Sequence, residues 1–322
     1  MLQLEKGTPS FIKSKNAIHG DRINKCFKPD ADRESIMFVP RKILEKKLLQ
    51  LLAEDVGQGD ITTAILVNEG NIVEAAIMAK ESGIAAGIEE AVILAESLGL
   101  KTETFVKDGE ALKKRQIIIK ISGDARTILT AERTILNLLS RMSGIATTTR
   151  RMVEKLREAK MATKVAATRK SGPGLLYFDK KAVLLGGGDP HRLHLDDMLL
   201  IKDNHIAVVG SVETAVKEAK LNASFTKKIE VEVTKVADAL LAAKAGADVV
   251  MLDNFSPKQA QEVVESFRKT GFLGKVLLEA SGGIATAKLL EYASTGVDVL
   301  SLGALTHSAR ALDVSLEITH VD

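Results

Sequence analysis

Residues 164–206, KVAATRKSGPGLLYFDKKAVLLGGGDPHRLHLDDMLLIKDNHI, set Arg169, Lys170, His191, Arg192, Lys202 and His205 among glycines and short apolar runs. Residues 164–167 read as a strand that delivers Arg169 and Lys170 at its carboxyl end. Residues 198–201 read as a second strand and deliver Lys202 in the same way. One Arg or Lys alone is ordinarily a solvated charge. Cations repeated at strand ends instead describe a pocket for an anion.

Later strand ends supply different chemistry. IEVEVT, VVMLDN, VLLEASGG and VLSLGA bring Glu232, then Asp253 with Asn254, then Ser281-Gly282-Gly283, then Gly303. Glu232 and Asp253 are hard oxygen donors without a cysteine partner, a set suited to Mg²⁺ held partly by substrate phosphates. Glu230 and Glu232 are expected to divide between the sheet's interior face and its outer layer. The glycine loops precede helices expected near Ala285 and Thr306, where backbone N–H groups can approach a phosphate. In GGGDPHRLHLDD the glycines can serve as a hinge, and His191 and Arg192 can recognise a carboxylate, Arg bidentately. His191 and His194 with Asp196 and Asp197 also allow a metal reading, although the surrounding Arg and Lys would repel a dication. No serine or cysteine has a motif-supported base. The chemistry is therefore stabilisation of developing charge rather than covalent catalysis.

These side chains need a scaffold that gathers strand ends. After Arg150, short apolar strands alternate with amphipathic segments that end in Gly, which predicts a parallel sheet buried on both faces. Six such units suit a closed or nearly closed barrel, whose site lies at the carboxyl ends of its strands. No G-x-G-x-x-G follows a first strand, so a dinucleotide fold has no support. Upstream, RKILEKKLLQLLAEDVG has a helical apolar face and GQGDITT reads as a turn. Strands are expected at 72–79 and 116–121 and a helix at 87–98, a small α+β domain from about 37 to 130. Ala131 is expected to open a long helix, AERTILNLLSRMSG. Arg133 would then sit near the positive end of its dipole, either offset by Glu132 or aimed at an anionic ligand. Residues 1–36 lack an apolar period and read as an extension in which Cys26 is a spectator thiol.

Composition agrees with an ordinary globular chain. The 322 residues are 45% hydrophobic and 27% charged, with 45 basic against 42 acidic residues. That balance excludes bulk electrostatic binding of nucleic acid. The single cysteine excludes an intrachain disulfide and a thiolate cluster, and favours a reducing cytoplasm. No apolar run is long enough to span a bilayer.

From about Val39 to the end the chain resembles quinolinate phosphoribosyltransferase, the decarboxylating nicotinate-nucleotide pyrophosphorylase. The resemblance is carried by EDVGQGDITT, AERTILNLLSRMSGIAT, ATRKSGPG, GGGDPHR, LIKDNHI, IEVEV, LDNF, EASGGI and VLSLGALTHSA. It implies an α/β protein of the type II phosphoribosyltransferase kind, an N-terminal open-faced α/β sandwich plus an incomplete TIM-like α/β barrel. The corresponding divisions are 1–36 extension, 37–148 sandwich, 149–312 barrel, and 313–322 returning to the sandwich. It further implies that Arg133, Arg169, His191, Arg192 and Lys202 hold the two carboxylates of quinolinate. Lys170, Glu232, Asp253, Ser281, Gly282, Gly303 and His307 would serve phosphoribosyl pyrophosphate and its Mg²⁺. Lys170, Lys202, Glu232 and Asp253 would be the catalytic set, with the metal on Glu232 and Asp253. The family is a cytoplasmic homodimer whose two sites are shared, each subunit lending the residue matching Arg133 to the other; dimer against hexamer stays open here. Two alternatives remain at this level: a paralogue acting on nicotinate or another pyridine-like base, and a non-catalytic sugar-phosphate sensor. The chain departs from the family at Ser171, where Thr is usual, and at Leu175-Leu176, where an Arg usually follows Pro-Gly.

Overall fold

The computed structural model describes residues 39–322; the extension expected at 1–36, with Cys26, lies outside them. Helices α1 (Arg41–Val56) and α2 (Ile61–Leu66) come first. Asp60 caps α2 by accepting the Thr63 N–H at 3.0 Å, so the expected turn at GQGDITT ends where its isoleucine begins a helix. Then follow β1 (Ile72–Ala79), β2 (Gly83–Ile84), α3 (Ile88–Ser97), β3 (Lys101–Thr104), β4 (Ala111–Leu112) and β5 (Ile117–Asp124). The long helix α4 (Ala125–Glu158) leads to β6 (Lys164–Ala166), α5 (Leu176–Leu185), β7 (Leu199–Ile201), α6 (Asp203–Val209) and α7 (Val212–Asn222). The remainder is β8 (Ile229–Val233), α8 (Val236–Ala245), β9 (Val249–Asp253), α9 (Pro257–Thr270), β10 (Leu277–Ser281), α10 (Leu289–Ala293), β11 (Val299–Ser301), α11 (Ala304–His307) and β12 (Val314–Val321).

The amino-terminal part is an antiparallel sheet in the order β12-β1-β5-β3, with α3 and α4 against it. The C-terminal strand β12 pairs with β1 along its length, from Val73 beside Val321 to Ala79 beside Val314. The second sheet is parallel, in the order β6-β11-β10-β9-β8-β7. Its strands are near-continuous apolar runs, as burial on both faces requires. Helix α9 shows how sequence sets the connections. Ser256 and Gln259 form a capping box, Pro257 opens the first turn, and Gly271 ends it in a left-handed conformation.

This barrel does not close. Asp189 adds one parallel bridge beside Ala166 on the outer edge of β6, and among the described residues no pairing joins that edge to β7. A second strand is thus reduced to a single residue. The triple glycine before it is not a hinge but a close crossing. A Cβ on Gly186 would lie 2.6 Å from the Ala146 carbonyl oxygen, and one on Gly188 would lie 2.7 Å from Thr149 Cγ2.

Helix α4 starts earlier than its apolar period suggests. Asp124 accepts the Thr127 N–H at 2.8 Å and the Thr127 hydroxyl at 2.7 Å, so the cap lies seven residues before Ala131. Arg133 therefore sits in the third turn, and the expected clash with the helix dipole is absent, since that effect is confined to the first turn. The division expected at 148/149 falls inside this unbroken helix. A buried ion cluster also ties the barrel helix α5 to α3: Lys181 bonds to Glu90 at 2.8 Å and to Glu89, with Asp108 at 3.4 Å.

Candidate active site

The strand-end residues gather as their positions require. Lys170 and His307 meet over Gly303, where a Cβ would lie 3.2 Å from Lys170 Cδ and 3.0 Å from His307 Cδ2. The Thr306 hydroxyl donates to the Lys170 carbonyl at 2.6 Å and fixes that pairing. Gly282, at φ +95°, has no room for a side chain, because a Cβ would sit 2.3 Å from Asn254 Oδ1. Asn254 itself adopts φ +56°, donates its backbone N–H to the Ser281 carbonyl at 2.9 Å and its side-chain amide to Asp253 Oδ2 at 2.7 Å. Asn254 was a bare strand-end residue in the sequence; its contacts make it the group that orients Asp253.

Glu232 lies 3.6 Å from Lys202 Nζ. Burial, with Asp253 and Asp203 adding to it and Lys202 opposing, raises its carboxyl above the ordinary range. Two carboxylates at adjoining strand ends fit a divalent cation, which takes one or two such ligands and completes its shell with phosphate oxygens and water. Glu230 lies on the same side of β8 as Glu232, two residues deeper and fully buried. Residues i and i+2 of a strand share a face, so the expected split between interior and outer layer is wrong.

Arg169, Arg192 and Lys180 form a second group, close enough for their charges to interact. Arg192 is only 9% exposed and forms no ion pair among the described residues. Burial first, then repulsion from Arg169, lowers its guanidinium from the usual value. Arg169 and Lys170 are exposed and likewise make no ion pair among the described residues. Below them Lys180 is fully buried, its ammonium donating to the Pro190 carbonyl. Burial pushes that ammonium down to about 8, with Asp189 opposing and Arg169 and Arg192 adding to the effect.

His191 Nε2 lies 3.4 Å from Glu230 and 3.3 Å from Glu279. Its Nδ1 accepts the Arg192 N–H at 2.8 Å, so both ring nitrogens face protein groups. Burial disfavours the imidazolium, but the neighbouring Glu230 and Glu279 carboxylates outweigh it and raise the ring to about 10. A protonated Nδ1 could not accept from Arg192. The two contacts therefore pull in opposite senses, and a proton on Nε2 is common to both. His194 and Asp197 do not join this group: Asp197 accepts the N–H groups of Leu193 at 2.6 Å and His194 at 2.9 Å, closing its own loop.

A buried network holds the loops of Ser171 and Thr306 to α4. Arg141 binds Asp179 with both arms, at 2.7 and 2.8 Å, and donates to the Thr306 carbonyl at 2.9 Å. The Ser171 hydroxyl also donates to Asp179. Serine thus supplies the hydroxyl contact at the position where the family usually has threonine. Arg133, on the same helix, stands apart from the other candidates. Its side chain is 64% exposed and, among the described residues, reaches only Glu132, at 3.7 Å.

With this geometry in view, comparison with known proteins is unambiguous. Residues 60–143 match the family model for the quinolinate phosphoribosyl transferase N-terminal domain, and residues 145–317 match the C-terminal domain. A probable nicotinate-nucleotide pyrophosphorylase [carboxylating] of Methanothermobacter thermautotrophicus is 46% identical over 269 residues, covering 84% of this chain and 96% of that one. The nicotinate-nucleotide pyrophosphorylase [carboxylating] of Mycobacterium leprae is 41% identical, covering 83% and 94%. The solved nicotinate-nucleotide pyrophosphorylase of Francisella tularensis superposes with a TM-score of 0.79 at 37% identity, covering 89% and 99%.

The Arg141–Asp179 pair yields a direct expectation. Arg141→Met leaves a fully buried carboxylate without its cation, which destabilises a fold by about 3–5 kcal/mol. A lower urea midpoint should follow, largely restored when Asp179→Leu is added. An Arg141→Met midpoint equal to wild type would show that the pair contributes nothing.

Proposed function

The chain belongs to the quinolinate phosphoribosyltransferase family, and from that membership we infer its reaction. It transfers phosphoribosyl from phosphoribosyl pyrophosphate to quinolinate with loss of CO₂, giving nicotinate mononucleotide and pyrophosphate. The observation that carries the reading onto this site is Arg192. A guanidinium buried without a counter-ion is costly, and a substrate carboxylate supplies the missing charge bidentately. Arg169 and Lys202 extend the same wall, with His191 behind Arg192. Across the cleft, Lys170, His307 and the loops at Ser281, Gly282 and Gly303 suit the phosphates of the second substrate. Glu232 and Asp253 would hold Mg²⁺, which when bound neutralises charge on the departing pyrophosphate.

Bond breaking then follows from placement. The cations favour charge leaving with pyrophosphate, and the electron-poor ribosyl carbon is captured by the pyridine nitrogen. The ring becomes cationic and accepts the electron pair released when the adjacent carboxylate departs as CO₂; a proton replaces it. Incubation with Mg²⁺ and phosphoribosyl pyrophosphate should release pyrophosphate and CO₂ from quinolinate, and chelation of the metal should stop both. Turnover of nicotinate but not quinolinate would overturn the assignment.

A shared two-fold dimer in the cytoplasm completes the proposal. Arg133 is exposed and weakly paired, and beside its helix α2 presents Ile61, Ile65 and Leu66 to the surface. An apolar surface next to an idle cation suits a contact that brings each Arg133 to the other subunit's site. The cytoplasmic reading is supported by the single cysteine and by the absence, among the described residues, of any helix long and apolar enough to cross a membrane. Mixing inactive Arg133→Ala and Lys202→Ala proteins should restore part of the activity, since one site of a mixed dimer holds both intact residues. No recovery despite demonstrated subunit exchange would rule sharing out.

A further inference from the structure

Two buried acids have no part in the reaction as described. Glu230 on β8 is 0% exposed and Glu279 on β10 is 2% exposed. Apart from the 3.3–3.4 Å contacts with His191 Nε2, both oxygens of Glu230 and Oε1 of Glu279 lack a hydrogen-bond partner. Leaving a carboxylate oxygen buried and unsatisfied costs stability, and a well-packed apolar side chain in such a place is often neutral or better. These acids therefore call for a reason other than holding the fold together.

What they face is the ring of His191. That residue adopts φ +55°, a left-handed conformation that side chains other than glycine hold only when their surroundings over-determine it. Asp189 Oδ1 accepts its N–H at 2.8 Å, and Lys180 holds the preceding carbonyl of Pro190. The ring is then pinned at both ends, by the carboxylates at Nε2 and by the Arg192 N–H at Nδ1. The next side chain is the buried, unpaired guanidinium.

Resting on the quinolinate reading of this site, we propose that Glu230 and Glu279 are positioning residues for the carboxylate-binding wall, which hold His191 by its Nε2–H and through it aim Arg192. The assignment stands for either protonation state of the ring, since Nε2 carries a proton in both. It also distinguishes the trio from a metal site, although its ligand atoms are close enough for one. An Nδ1 that accepts an N–H places the ring proton on Nε2, where a metal would need the lone pair. His191 thus acts through Arg192, with no ring nitrogen left over for the ligand.

The test compares Glu230→Leu and Glu279→Leu, which remove the acceptor, with Glu230→Gln and Glu279→Gln, which keep one. Misaiming a binding group costs about tenfold to a hundredfold, so each leucine variant should raise KM for quinolinate by that factor. KM for phosphoribosyl pyrophosphate should stay within about twofold, as expected when only one subsite is disturbed. The melting temperature should equal or exceed wild type, and the glutamine variants should recover most of the quinolinate KM. In a His191→Leu background, Glu279→Leu should add no further rise, because residues acting through one another are not additive. An unchanged quinolinate KM, a joint rise of both KM values with a lowered melting temperature, or full additivity with His191→Leu would each overturn the proposal. A wild-type protein that does not turn over quinolinate would overturn the parent reading and this one with it. An active wild type with unmoved variants would overturn this one alone.

Discussion

Like charges must be held together without their counter-ions if the site is to bind an anion, and the surrounding structure is arranged to bear that repulsion. Burial and the nearby Arg169 lower the Arg192 guanidinium, and both cations lower Lys180, which is buried beneath them. Coulomb repulsion between such groups grows as water is excluded. What keeps them in place is a set of acids set one layer back: Asp179 under the Ser171 loop, Asp189 at the turn before His191, and Glu230 and Glu279 at the barrel floor. None of these pairs directly with the Arg192 guanidinium. Direct pairing would satisfy the cation and remove its call for a ligand.

Helix α4 links this arrangement to the rest of the molecule. It packs on the sandwich sheet at one end and on the barrel at the other. Arg141 faces inward to Asp179 and Thr306, so one side chain braces both the Ser171 loop and the loop that carries His307. Arg133, eight residues earlier, faces outward. A single rigid element therefore fixes the geometry of its own site and presents a cation at the surface, and helices are better platforms for such placement than loops.

Much of this was legible from local pattern. The strand-end rule found Arg169, Lys170, Lys202, Glu232, Asp253, Ser281 and Gly303, because parallel strands deliver their last residues to one face. The same pattern showed the barrel but not its gap, since a strand reduced to Asp189 leaves no apolar run. Arg141, Asp179, Lys180 and Glu279 were invisible for a different reason. They lie within helices or a strand, and their partners are far away in sequence, so no local period marks them. Charged residues in a helix ordinarily read as solvated, and Lys180 and Lys181 are instead among the most buried side chains. The apolar period does not mark the start of α4, which the Asp124 and Thr127 capping signal sets. Glu230 and Glu232 share one face because residues two apart on a strand point the same way.

The central claim is that Arg192 is kept buried and unpaired in order to receive a substrate carboxylate. Calorimetric titration of quinolinate into wild type and Arg192→Met, with melting temperatures taken alongside, addresses it directly. Removing one partner of a buried charge pair costs about 2–5 kcal/mol of binding, so quinolinate affinity should fall by about two orders of magnitude while the melting temperature holds or rises. Wild-type affinity in Arg192→Met would contradict the account.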